Sequence, residues 1–158
     1  MSDRQHPRVN LCTSYSTVSK GVQTVGAGSD YRMVPKFDSS VWVTGRGHRG
    51  QLGDVIIYSK SSPIQVISRD VKDVSTGAFH IMVMKQDGSV WNTGSNRFGQ
   101  LGTGFNSEYT TDLNMVVRSR AKGVAAGGLH SLVLKQDDNV WDYYGISYII
   151  SPGVDGGY

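Results

Sequence analysis

The chain has 158 residues, 38% hydrophobic and 18% charged, with a formal net charge of +3, which suits one domain with a buried core and excludes a disordered acidic tail. No apolar run approaches the roughly 18 residues of a spanning helix, and Met1–Lys20 is polar, so neither a membrane span nor a secretory signal is expected. With 20 Gly, 19 Val and 19 Ser but a single Glu (Glu108) and five Ala, the composition excludes a helix bundle and argues against a Rossmann-type domain.

Residues 1–21 carry no internal landmark. They contain Cys12, the sole cysteine, which rules out an intrachain disulfide or a thiolate zinc site and reads as a small apolar residue. From residue 22 the chain repeats itself. A first copy, 22–70, opens with Val22-Gln-Thr-Val-Gly-Ala-Gly28, passes Val41-Trp42 and Thr44-Gly45, and reaches Gly50-Gln51-Leu52-Gly53.

A second copy, 71–120, matches the first at an offset of 49. Gly77 stands over Gly28, Trp91 over Trp42, Gly94 over Gly45, and Gly99-Gln100-Leu101-Gly102 over Gly50–Gly53. Within it, His80–Lys85 predicts a strand, Asp87-Gly88 a hairpin turn, and Ser89–Thr93 the returning strand. Gly94–Gly102 predicts a turn-rich link. A third copy, 121–158, matches the second at an offset of 50, with Gly127 over Gly77, His130 over His80, Asp137 over Asp87 and Trp141 over Trp91. Several strands per copy at a period near 50 is the arithmetic of a β-propeller blade, so the expected class is all-β.

The pattern V-x-x-V-x-x-G-x-x-H, then D-G-x-V-W-x-x-G, then G-Q-L-G, resembles the regulator of chromosome condensation repeat over about Val22–Trp141. Family members are mostly seven-bladed propellers, so the resemblance implies that fold, here as an array of about 2.5 to 3 repeats. Residues 22–70 and 71–120 are then two blades and 121–158 a partial third. The copies depart from the pattern at Tyr31, in place of His, and at Ser39-Ser40, in place of a tight Asp-Gly turn. Tyr144 stands where Gly is expected, and Ile149-Ile-Ser-Pro152 where GQLG belongs. Seven blades at this period need about 350 residues. The shorter length leaves three expectations: a fragment, an oligomer that completes the ring, or a chain covered by neighbours in an assembly. Residues 1–21 are a candidate for completing a blade.

The tempting motifs mostly read as parts of the repeat. Gly45-Arg-Gly-His-Arg-Gly50 fits G-x-G-x-x-G, but no helix start follows, and the aligned Gly94-Ser-Asn-Arg-Phe-Gly99 lacks the middle Gly. His80 and His130 recur at one position, where a metal pair is weighed against packing and hydrogen bonding; Tyr31 in the first copy favours packing. Recurrence likewise assigns Trp42, Trp91 and Trp141 to the space between blades rather than to a binding surface.

Function is therefore expected where the copies differ: 54–62, 103–114 and 143–158. Their aromatics Tyr58, Phe105, Tyr109, Tyr143, Tyr144 and Tyr148 are the candidate interaction residues. Without a nucleophile constellation, no catalysis, cofactor, metal or small-molecule substrate is expected. The reading is a non-catalytic structural or scaffolding protein acting through protein partners or self-association, in a virion or another multi-subunit particle. The cluster Arg118, Arg120 and Lys122 makes nucleic acid a lesser partner. The alternative that the resemblance implies is guanine nucleotide exchange, or an adaptor role, on a small GTPase; an isolated hydrolase is the weakest reading.

Overall fold

The computed structural model describes residues 18, 20–104 and 107–143. Among them there is no helix. Eleven strands form three antiparallel sheets, which are consecutive blades of a partial propeller. The first sheet orders β1 (Gly26–Ala27), β2 (Tyr31–Pro35), β3 (Val41–Gly45) and β4 (Lys60–Ile67) from inside to outside. The second repeats this with β5 (Val71–Thr76), β6 (His80–Lys85), β7 (Val90–Ser95) and β8 (Tyr109–Val117). The third holds β9 (Ala121–Ala126), β10 (Ser131–Lys135) and β11 (Val140–Tyr143). The first strand of each sheet lies against the first strand of the next, β1 to β5 and β5 to β9.

The strand patterns follow from position. Strand β6 is a continuous apolar run because a blade covers it on both sides, and its residues alternate between two cores. Ile81 and Val83 join Tyr31, Met33, Val41, Val43, Leu52 and Val71 between the first two blades. Met82, Met84 and Val90 join Val117, Ala121 and Val133 between the second and third. Strand β11 has no fourth strand beside it among the described residues, and Val140 is accordingly 50% exposed, whereas its counterparts Val41 and Val90 are fully buried.

The turns repeat too. Asp87 Oδ1 accepts the Ser89 amide at 2.9 Å, and Gly88 takes a left-handed φ of 77°. Ser39 (φ 64°) and Asp138 (φ 66°) hold that conformation in the other two blades despite their side chains.

Candidate interaction surface

One end of each blade carries the turn between its first two strands and, in the first two blades, the long link between the third and fourth. On that end the recurrent residues are consumed by joints between blades. The Tyr31 ring lies over Gly28 so closely that a Cβ there would meet it at 1.9 Å, and its hydroxyl donates to the carbonyl oxygens of Gly77 (2.9 Å) and His80 (2.5 Å) in the next blade. His80 does the equivalent: its ring covers Gly77 and its Nε2 meets Ser131 Oγ at 2.9 Å. The Ser131 hydroxyl donates in turn to the Gln100 carbonyl at 2.6 Å. Burial, and secondarily the nearby His130, pull the His80 imidazole down to a pKa of about 4. The His130 ring covers Gly127, and among the described residues none hydrogen-bonds it.

The two G-Q-L-G turns tie each blade to the next. Gln51 and Gln100 are buried, and their Oε1 atoms accept the amides of Arg49 (2.8 Å) and Phe98 (2.9 Å). Leu52 and Leu101 are fully buried. Gly50, at φ 68°, sits where a Cβ would come 2.0 Å from the Thr110 carbonyl oxygen of the second blade, and its own carbonyl accepts the Thr93 hydroxyl at 3.0 Å. A Cβ on Gly53 would meet Thr93, and one on Gly102 would meet the ring of Tyr143. Gly45 and Gly94 close β3 and β7 at φ 112° and 113°, and Gly99 takes φ 73° in the second turn.

The tryptophans are half-buried on the blades, each under a lysine: Lys36 over Trp42 (4.8 Å), Lys85 over Trp91 (4.3 Å) and Lys135 over Trp141 (4.4 Å). Trp42 and Trp91 donate to Ser40 Oγ and Ser89 Oγ, whose amides are held by Asp38 and Asp87. Asn139 takes the serine position in the third blade, with its amide on Asp137.

One surface open to contacts lies between the first and second blades. A cleft of about 450 Å³ is lined by Asp30, Arg46, His48, Arg49, Phe79 and Tyr109, among others. Arg46 pairs with Asp30 at 3.3 Å. The Arg49 guanidinium stacks over Phe79 at 4.7 Å. Beside the cleft, the link from Asp54 to Lys60 projects Val55-Ile56-Ile57-Tyr58, four consecutive exposed apolar residues, with Val55 at 66% and Tyr58 at 70%. Asp54 Oδ2 and Lys60 Nζ meet at 3.2 Å across its base.

Of the sequence-expected contact residues, Tyr58 projects from this loop and Tyr109 lines the cleft from the first position of β8 rather than from a loop. Tyr143 requires a correction. It belongs to β11 and packs into the core between the second and third blades, against Gly102, where burial pushes its hydroxyl up to a pKa of about 12. Phe105, Tyr144 and Tyr148 lie outside the described residues, as do 1–17 with Cys12 and His6. Sequence reasoning missed Arg49, Phe79 and the run Val55–Ile57; the run was visible as consecutive apolar residues between an Asp and a Lys in a stretch that varies between copies.

Family models of the regulator of chromosome condensation repeat match residues 38–84 and 87–134, and a second form of the same repeat matches 71–100. No curated protein matches the sequence. Among solved structures the chain is similar to human WBSCR16, with a TM-score of 0.75 and 22% identity over 83% of this chain and 35% of that one. It is also similar to Saccharomyces cerevisiae Prp20p, described with its binding properties to Gsp1p and histones, with a TM-score of 0.69 and 25% identity over 80% of this chain and 31% of that one. Yeast RCC1 (Prp20) bound to Kap60 gives a TM-score of 0.68 at 25% identity, over 80% of this chain and 30% of that one. The chain thus spans about a third of the length of the solved chains it matches.

Proposed function

The chain belongs to the regulator of chromosome condensation repeat family, and from that premise we propose that it is a non-catalytic scaffold that works through protein–protein contacts in a larger assembly. One observation carries the reading. The recurrent Tyr31 and His80 on the loop end are engaged in joints between blades, while the parts specific to one blade, the Asp54–Lys60 link and the adjoining cleft, present apolar and cationic groups outward. An exposed apolar loop beside a cleft with no nucleophile–base constellation suits recognition of another protein better than turnover of a small substrate.

The test is the mass of the chain isolated under native conditions from its own cells, by light scattering behind a sizing column. Particles several times heavier than 17.2 kDa are expected. A chain that stays at monomer mass there removes the scaffold reading. The regulatory alternative brought by the family, nucleotide exchange on a small GTPase, is decided by a nucleotide-release assay across a panel of such GTPases. Acceleration with any of them replaces the scaffold by an exchange factor.

A further inference from the structure

We propose that the Asp54–Lys60 loop and the neighbouring Arg49–Phe79 cleft form one docking surface for a protein segment that presents aliphatic side chains next to carboxylates. The proposal rests on the scaffold reading and names the chemistry of the partner.

The loop is built to project. Val55 adopts a φ of 63°, a left-handed conformation that a β-branched residue almost never takes. Such strain persists only where the surroundings enforce it. Here the Val55 amide donates to the Thr111 carbonyl at 3.2 Å, the Asp54–Lys60 pair closes the base, and the Tyr58 carbonyl lies against Gly47, where a Cβ would meet its oxygen at 2.5 Å. The loop is held by one backbone hydrogen bond and one ion pair and lies close against Gly47, while the side chains of Val55 and Tyr58 stay in water. That arrangement spares a partner the entropy of ordering the loop, and four adjacent exposed apolar residues are the mark of a contact site.

The cleft supplies the charge. Arg46 is engaged by Asp30, but Arg49 lies over the Phe79 ring and pairs with no carboxylate among the described residues. A guanidinium fixed by stacking keeps its fork of donors free for a carboxylate. The second blade carries Phe98 at the position of Arg49, and Thr103-Gly104 where the first has Asp54-Val55, so the composite occurs once. An extended nucleic acid is the poorer fit, because the four exposed apolar side chains of the loop offer its phosphates nothing.

The experiment pans a phage library of random 12-residue peptides against the full chain and measures selected peptides by fluorescence polarisation. Enrichment of Leu, Ile or Val beside Asp or Glu is expected. The double variant Val55→Ser/Tyr58→Ser should weaken those peptides roughly tenfold or more, and Arg49→Glu should turn the charge preference toward Lys and Arg, both at unchanged melting temperature. Four results overturn the proposal: no enrichment over the double variant, selected peptides that bind either variant as well as the parent, a 12-nucleotide oligonucleotide that competes with them, or a loop-dependent loss of self-association in the double variant, which would make the occupant a second copy. Should the double variant misfold, Arg49→Glu alone decides. The native mass stands or falls independently of these results, so failure of the docking surface and failure of the scaffold reading are separable.

Discussion

The joint between the first and second blades and the joint between the second and third are built on one repeat position with two chemistries. At the first, Tyr31 reaches across to two backbone carbonyls and leaves no side-chain base in the interface. At the second, His80 leans on Ser131, whose hydroxyl donates a hydrogen bond to the Gln100 carbonyl, and the His80 Nδ1 atom is buried without a partner among the described residues. The shared geometry is a ring lying over a glycine three residues earlier. The repeat therefore conserves a shape, while the polar atom at its tip decides how the joint responds to its surroundings.

The largest effect is expected from filling the space beneath the ring. In Gly77→Ala the new Cβ would fall 2.2 Å from the His80 ring and 2.6 Å from the Gly127 carbonyl oxygen, so ring and third-blade backbone must both move. A loss of about 3 kcal/mol or more is expected in urea unfolding, at the upper end for overpacking. In Gly28→Ala the nearest atoms are all of the Tyr31 ring, with no backbone oxygen among them, and the cost should be smaller. Equal losses would mean that the third blade does not brace the second joint.

Acid separates the two joints next. The His80 imidazole is held near pKa 4, against about 6.5 in an unfolded chain, so between those values the unfolded state binds the extra proton. The His80 contribution to stability should be constant above pH 6.5 and be lost as the pH drops from 6.5 to 4, by a total on the order of 3 kcal/mol; below that the carboxyls of Asp38, Asp87 and Asp137, held under their ordinary values by hydrogen bonds from residues two positions on, take over the further loss. Burial drives the Tyr31 hydroxyl upward, so it stays protonated throughout this window and its joint adds no slope. Denaturation midpoints across pH 4–7 test this, and a flat profile would mean that water reaches the second joint.

A smaller contrast lies in the third strands. The Thr93 hydroxyl sits between the carbonyls of Gly50 and Thr110, both at 3.0 Å, whereas among the described residues the Thr44 hydroxyl meets only the Lys60 carbonyl, at 2.9 Å. Thr93→Val should cost about 1–2 kcal/mol, because the buried Gly50 carbonyl loses a donor from the next blade. Thr44→Val should cost roughly 0.5–1 kcal/mol. The difference, read from thermal melts, measures how much of the fastening runs between blades rather than within one.

These joints account for how much could be read in advance. Each sheet was legible because its landmarks are local: Gly77 and His80 are three residues apart, Asp87 and Ser89 two, and Gly99–Gly102 is contiguous. The cleft was not, because Asp30, Arg49, Phe79 and Tyr109 come from separate stretches of two blades and meet only once the joint forms. Tyr143 was misplaced for a related reason. The repeat signal fades after Trp141, yet the offset of 50 puts residue 143 at the position of Thr93, inside the third strand and under the preceding blade's turn.

The smallest effect asks whether the blades that depart from the repeat suffer for it locally. Ser39 and Asp138 occupy the left-handed position that Gly88 fills in the second blade. A side chain there costs about 1–2 kcal/mol, of which glycine gives back roughly 0.5–1 kcal/mol through its freer unfolded chain. Ser39→Gly should therefore gain about 0.5–1 kcal/mol, a rise of about 1–4 °C in melting temperature for a chain of this length. Asp138→Gly should gain less, because it also removes the carboxylate that pairs with Lys122. The turn strain is then relieved cleanly in the first blade and exchanged for a surface ion pair in the third. Equal gains at both positions would mean that the exposed Lys122–Asp138 pair contributes nothing, as many surface pairs do, and that the third blade carries its irregular turn without compensation.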